Sequence, residues 1–241
     1  MEELPTSNPP VAVVTGASQG LGLALATALA DEGYALVIDA RRADRLGTAT
    51  AGLEARTRVV AVAGDITDPE HRASLARAAA QLGTVQLIVN NASTLGASPL
   101  PPLSTIDADV LRNVFEVNVI APIALVQEVD AQLAVGATIL NITSDAAVEA
   151  YEGWGGYGAS KAALEHASRV LAAERPDLRV LVADPGDMRT EMHQDAFPGE
   201  DISDRPEPDT SVPGLLALIT GDQPSGRYST RAEAPEEVRA P

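Results

Sequence analysis

Six short apolar runs, separated by longer segments of helical periodicity, constrain this chain more than any other feature. They are VAVVTG at 11–16, ALVIDA at 35–40, RVVAVA at 58–63, VQLIVN at 85–90, ATILNI at 137–142 and RVLVA at 179–183. A strand with one wet face alternates apolar and polar residues, and these runs are too apolar for that. Each is expected to be covered on both faces by the helical segments near 20–32, 42–55, 69–82, 104–133, 154–175 and 211–220. Strand and helix in alternation predict an α/β fold built on a doubly wound parallel sheet. The long segment 104–133 contains Pro122, where a helix is expected to break.

At 241 residues the chain is long enough for one well-filled core, and no internal repeat divides it. The expected domain runs from 11 to 231, with flexible ends at 1–10 (MEELPTSNPP) and 232–241 (AEAPEEVRAP), both polar and punctuated by proline. The stretch 187–210 is the one long irregular connection, and such loops are commonly lids. A formal net charge of −17 lacks the electropositive footprint that nucleic acid or an anionic membrane requires. There is no cysteine, and His71, His166 and His193 lack metal-site spacing, so no protein-bound metal is expected. No basic-then-apolar leader opens the sequence and no apolar run approaches the ~20 residues of a membrane span, so the expected location is cytoplasmic.

After the first run comes Thr15-Gly16-Ala17-Ser18-Gln19-Gly20-Leu21-Gly22, leading directly into a helix. Glycine allows positive φ and close backbone approach, so such a turn can wrap a pyrophosphate while the helix N-terminus aims its N–H groups at the charge. That is the setting of a Rossmann-type, dinucleotide-binding single domain. The spacing GxxxGxG, then Asn90-Asn91-Ala92, Asn118-Val119, Ser144, Tyr157-Gly158-Ala159-Ser160-Lys161 and Pro185-Gly186 with Thr190, resembles the short-chain dehydrogenase/reductase family over nearly the whole chain. Where that family has NNAG this sequence has Ser93 in place of the glycine, so an adjusted turn is expected there.

Tyr157 and Lys161 stand one helical turn apart on one face. A nearby ammonium favours phenolate, which is expected to bring the Tyr157 pKa down toward neutral operation, so that the phenol can give a proton to a reduced carbonyl oxygen and recover it in reverse. The chain uses arginine sixteen times and lysine once, at this position, which argues against an incidental solvated face. Ser144, at the carboxyl end of a strand, can hydrogen-bond the substrate oxygen, the role that the family's spacing implies for it; a loop residue capping backbone is the plain alternative, with Thr143 beside it as the candidate for that. The resemblance implies that Asn118 anchors a water in a proton relay. A buried asparagine satisfied by backbone is the plain alternative.

The resemblance also implies a cofactor site of Gly16, Ser18, Gln19, Gly20, Leu21, Gly22, Ala40, Arg41, Arg42, Asp65, Ile66, Asn91, Ala92, Tyr157, Lys161, Pro185, Gly186, Met188 and Thr190. Counting from the glycine turn, the family's NAD-selecting acid position falls on Ala40 and its NADP-selecting arginine on Arg41. NADP(H) is therefore favoured, NAD(H) remaining the choice if Asp39 takes the selecting role. Asp65 is expected either at the adenine or as a cap of the Thr67–Pro69 turn. Trp154, Met192, His193 and Phe197 are candidates for a mostly apolar substrate pocket. The sequence thus predicts NAD(P)(H)-dependent exchange between a carbonyl and an alcohol, with a dinucleotide-sensing binding protein on the same fold as the alternative. The family implies a homodimer or homotetramer through helices 104–133 and 154–175. The ending Pro224-Ser225-Gly226-Arg227-Tyr228 departs from the family's Gly-Gly and favours a dimer.

Overall fold

In the computed structural model, which describes residues 9–230 and the pair 236–237, strands and helices follow one another in regular alternation. They are β1 (Val11–Val14), α1 (Gly20–Asp31), β2 (Ala35–Ala40), α2 (Ala43–Glu54), β3 (Val59–Ala63), α3 (Pro69–Leu82), β4 (Val85–Asn90), α4 (Ala108–Phe115) and α5 (Ala121–Val129). There follow β5 (Leu133–Ile142), α6 (Gly155–Glu174), β6 (Arg179–Asp184), α7 (Glu191–Ala196), α8 (Val212–Thr220), β7 (Gly226–Ser229) and β8 (Glu236–Glu237). The sheet order is β3-β2-β1-β4-β5-β6-β7-β8, parallel except for the last pair. The expected flexible segment 1–10 lies outside the described residues except for its last two, and 232–241 lies outside except for β8.

Both sheet faces are covered, as the unbroken apolar runs require. Leu36, Ile38, Leu140 and Leu181 meet α1 and α8 through Leu25, Leu29, Leu215 and Leu218. On the other face Val37, Ile88 and Ile139 meet α3 and α5 through Leu75, Leu125 and Val129. The chain order reverses between β1 and β4, so their carboxyl ends open a crevice. Thr15 and Asn91 stitch that opening: Thr15 Oγ1 accepts from the Asn91 and Ala92 N–H groups at 3.0 Å each, and Asn91 Nδ2 donates to the Thr15 carbonyl at 2.9 Å.

Four elements depart from the sequence expectation. The segment 104–133 is not one helix: Asp107 caps α4 by accepting from the Asp109 and Val110 N–H groups, and a π-turn at Glu116–Ile120 separates α4 from α5. The interruption precedes Pro122 because that residue offers no N–H to the carbonyl of Asn118, four positions earlier. Leu133 already belongs to β5, and α7 lies inside the stretch expected to be irregular, capped by Thr190 accepting from the His193 N–H. The strand β7 was hidden because GRYS carries no apolar run. Among the described residues no helix is long and apolar enough to cross a membrane, and no cluster of His, Asp or Glu is arranged to hold a metal.

Arg179 fastens the end of α8 to the sheet, donating to the carbonyls of Leu218 (2.9 Å), Gly221 (2.6 Å) and Ile219 and to Thr138 Oγ1 (2.9 Å). Helix C-termini leave carbonyls without intrahelical partners, and this side chain supplies several at once. Arg179→Met keeps the aliphatic stem and removes the donors. It is expected to cost about 1–3 kcal/mol of stability, measured by urea unfolding.

Candidate active site

A cleft of about 1420 Å³ opens at the carboxyl ends of the parallel strands. Its walls bring together the glycine turn (Gly16, Ser18, Gln19, Gly20, Leu21, Gly22), the end of β2 (Ala40, Arg41, Arg42), Asp65 and Ile66, Asn91 and Ala92, and the segment Pro185, Gly186, Met188 and Thr190. Ser144, Tyr157 and Lys161 share the same cleft. Residues drawn from well-separated stretches of sequence thus converge because parallel strands all deliver their next residues to one edge.

The turn is folded so tightly against its own backbone that Gly22 has no room for a side chain. Gly16 adopts φ +67°, and a Cβ on Gly22 would meet the Gly16 carbonyl oxygen at 2.3 Å. The Gly16 N–H donates to Asp39 Oδ1 at 2.8 Å, and Asp39 Oδ2 pairs with His71 Nε2 at 2.9 Å. Asp39 is only 2% exposed, so this carboxylate is engaged beneath the turn. Strand parity explains the division: Ala40 packs with the α1 face, whereas Asp39 points toward α3, where His71 is buried. Arg41 and Arg42 are exposed on the cleft wall. Asp65 lines the cleft while its Oδ1 accepts from both the N–H (2.9 Å) and the hydroxyl (2.8 Å) of Thr67, so the turn-capping role is present.

The helix α6 carries Tyr157 and Lys161 into the strand ends because Gly156 and Gly158 let it approach closely; a Cβ on Gly158 would lie 2.4 Å from the Ala146 carbonyl oxygen. Lys161 is 2% exposed, its Nζ donates to the Ile142 carbonyl at 2.9 Å and lies 5.4 Å from the centroid of the Tyr157 ring. Burial pulls its pKa down to about 8, against the opposing charge of Glu165. Burial also pushes the Tyr157 phenol well above its ordinary value; Asp184 and Asp145 push the same way, and a hydrogen bond with Ser93 opposes them. Burial thus opposes the sequence expectation of a phenol brought toward neutrality: desolvation disfavours the charged form of each group and is the largest cause of both shifts.

Ser144 Oγ donates to Asp145 Oδ1 at 3.0 Å and accepts from the Ala146 N–H at 3.2 Å. Thr143 donates to Glu165 Oε1 at 2.7 Å, a side-chain partner where a backbone cap was expected. Asn118, 1% exposed in the π-turn, lies behind the cleft wall. Its carboxamide donates to the Thr94 carbonyl and to Ser160 Oγ at 2.9 Å each, and accepts from the Thr94 N–H at 2.9 Å and Ser93 Oγ at 3.1 Å. The side chain is thus satisfied within the protein.

Sequence reasoning missed the floor beneath Lys161. Glu165, one turn further along α6, accepts from Thr143 and from Arg227 Nε at 2.9 Å. Arg227 also reaches the Ser144 carbonyl at 3.3 Å and the Asp184 carboxylate at 3.6 Å. The i, i+4 spacing of Lys161 and Glu165 was legible, whereas Arg227 arrives from β7, which carried no strand signal. On the substrate side Trp154, Met192 and His193 line the cleft. Phe197 stands behind them, its ring 5.9 Å from Trp154 and 5.0 Å from His193. The segment after Pro185-Gly186 is tied across the cleft by Glu191, which accepts from Arg45 at 2.7 Å and Gln19 at 2.6 Å.

Residues 10–201 match the sequence model of the short chain dehydrogenase family. A sepiapterin reductase of Meriones unguiculatus is 33% identical over 203 residues, covering 76% of each chain. An alcohol dehydrogenase from the archaeon Thermococcus sibiricus, solved with 5-hydroxy-NADP, superposes with a TM-score of 0.81 at 26% identity over 91% of this chain and 95% of its own. A short chain dehydrogenase from Shigella flexneri solved with NADP gives 0.84 at 26% identity, over 93% and 98%.

Asp39 supports the turn from below, so its loss should act on the backbone cradle common to both nicotinamide dinucleotides. Asp39→Ala is expected to weaken NADPH and NADH by similar factors, read as dissociation constants from quenching of Trp154 fluorescence. A loss confined to NADH would return the selecting role to Asp39.

Proposed function

The chain belongs to the short chain dehydrogenase family, and from that premise we propose that this oxidoreductase reduces a ketone or aldehyde to its alcohol, reversibly, with NADPH. The observation that carries the reading is the meeting of Tyr157, Lys161 and Ser144 with the glycine turn in one cleft. The turn fits a dinucleotide pyrophosphate because Gly16 and Gly20 take positive φ and bring the backbone round to the N-terminus of α1 at the cleft. Asp39 is occupied beneath the turn and Arg41 and Arg42 face the cleft, which supports the dinucleotide bearing an extra phosphate. The name of the Meriones relative, a reductase, supports reduction as the direction.

A bound reduced nicotinamide dinucleotide supplies the hydride. The chain's own groups manage the oxygen. Ser144 holds the substrate oxygen by turning its hydroxyl hydrogen from Asp145 toward it. Tyr157 gives its proton to that oxygen as negative charge develops there, and takes it back in the alcohol-oxidising direction. The Lys161 Nζ, 5.4 Å from the centre of the Tyr157 ring, supports this reading, because a nearby positive charge favours phenolate. The position of Asn118 in the π-turn between α4 and α5 supports the role that the family resemblance implies, anchoring a water that resupplies protons. Leu95, Trp154 and Met192 make the substrate end mostly apolar and favour a substrate with an apolar body. The exposed Ile120, Ile123 and Val170, on the π-turn, α5 and α6, support a homodimer through these helices.

Tyr157→Phe removes one oxygen from this site and should leave folding and NADPH binding intact. Turnover of NADPH against a panel of ketones, quinones and keto-esters is expected to drop about 10²–10⁴-fold. Activity within a few-fold of wild type would favour the dinucleotide-sensing alternative. Arg41→Ala should raise the Michaelis constant for NADPH far more than for NADH, since only NADPH carries the phosphate to be neutralised. An equal rise for both would overturn the preference for NADPH.

A further inference from the structure

We propose that Arg227 and Glu165 are positioning residues for the reaction: as a buried ion pair they clamp the main chain at Thr143 and Ser144, so that the Ser144 hydroxyl stands where a substrate oxygen needs it. This rests on the reading of Ser144 as the group that holds that oxygen. The two side chains are 9% and 5% exposed, and neither lines the cleft. They therefore act through their neighbours and not on a ligand.

The need for a clamp lies in where β5 stops. Thr143 still belongs to the ladder of the sheet, its N–H donating to the Ala183 carbonyl at 2.8 Å. Ser144 follows in extended conformation, just before the chain turns through Asp145–Ala147. Its carbonyl accepts from the Ala147 N–H at 3.1 Å and from Arg227 Nη2 at 3.3 Å. Glu165 Oε1 accepts from the Thr143 hydroxyl at 2.7 Å and from Arg227 Nε at 2.9 Å. One carboxylate oxygen thus ties the residue before Ser144 to the arginine that holds Ser144 itself. That arginine comes from β7, where it stands opposite Val182 of β6. With neighbouring strands about 4.8 Å apart, its side chain spans about 10 Å to reach the end of β5, and it arrives with its donors in a fixed fork.

Stability alone does not account for the pair. Two charges taken out of water carry a desolvation penalty that well-packed apolar side chains avoid. What the pair has and an apolar one lacks is a set of donors and an acceptor aimed at residues 143 and 144. A displacement of about 1 Å in a group that orients the substrate can cost about 10²-fold in rate, so a hold on this main chain bears directly on turnover. The cofactor side is secured separately. Asp184 meets Arg227 through Oδ2 at 3.6 Å, while its Oδ1 accepts from the Gly186 N–H at 3.0 Å.

The test is NADPH-dependent reduction of the same carbonyl panel by Arg227→Lys and Thr143→Val, each alone and combined with Ser144→Ala. Rates are expressed per NADPH-binding site, titrated by quenching of Trp154 fluorescence. Lysine keeps the charge beside Glu165 and Asp184 and loses the fork, so Arg227→Lys is expected to lower kcat about ten- to thirtyfold with KM for NADPH within about threefold of wild type. Thr143→Val keeps the shape, removes the hydroxyl and should lower kcat about three- to tenfold. It leaves the ion pair in place, and so carries the test whether or not the lysine variant folds. Ser144→Ala alone should be about 10²–10³-fold slower than wild type. In that background the same two changes are expected to cost less than about twofold, because no hydroxyl is left to aim. Equal losses in both backgrounds, or an undiminished kcat for Thr143→Val and for any folded Arg227→Lys, would overturn the clamp and leave Ser144 in its role. A wild-type protein inert toward the whole panel, or Ser144→Ala as active as wild type, would overturn the reading of Ser144 and this proposal together.

Discussion

One ammonium group, buried at the carboxyl edge of the sheet, sets the conditions for everything around it. A lone charge taken out of water is costly, and Lys161 is tolerated because the Ile142 carbonyl accepts from it and the Glu165 carboxylate lies one turn away. Glu165 is itself buried and needs Thr143 and Arg227. The chain of partners ends on Arg227, shared between Glu165, Asp184 and the Ser144 carbonyl. The strand ends β5, β6 and β7 are thereby held in register with α6 by charge as well as by packing.

The other half of the cleft follows a similar economy with neutral and ionic hydrogen bonds. The glycine turn is held from below by Asp39 and from the side by Asn91, whose carboxamide donates to the Thr15 and Gly16 carbonyls at 2.9 and 3.2 Å. A ligand meeting the turn therefore meets backbone already fixed in place. Preorganisation of this kind removes part of the ordering cost that binding would otherwise carry.

The alternation of apolar runs and helices was enough for the sheet, its parallel direction and the edge on which the cleft opens, because covered strands have few other ways to be satisfied. Counting from the glycine turn marked Ala40 and Asp39 as rival positions. What it lacked was the partner: His71 lies thirty-two positions further along the chain, and only the fold brings it under Asp39. The Tyr157 environment failed for a related reason. Spacing announces a neighbouring charge, whereas the depth of burial that opposes it is a property of the packed whole. Ser93 stood out in the sequence only as a departure from a glycine, since its partner Asn118 is supplied by another element. The strand β7, with its sequence GRYS, was unreadable because its significant residue is an arginine turned inward.

That arginine gives the order of synthesis a structural meaning. Arg227 lies beyond the stretch matched by the family's sequence model, and it leaves the ribosome after both Glu165 and Asp184. Until it arrives, Glu165 and Asp184 lack the cation they share in the finished fold, and the floor of the cleft carries two acids beside the lysine. The glycine turn is braced instead by Asp39 on β2 and by Asn91 just beyond β4, so the two ends of the cleft draw their support from different stretches of the chain.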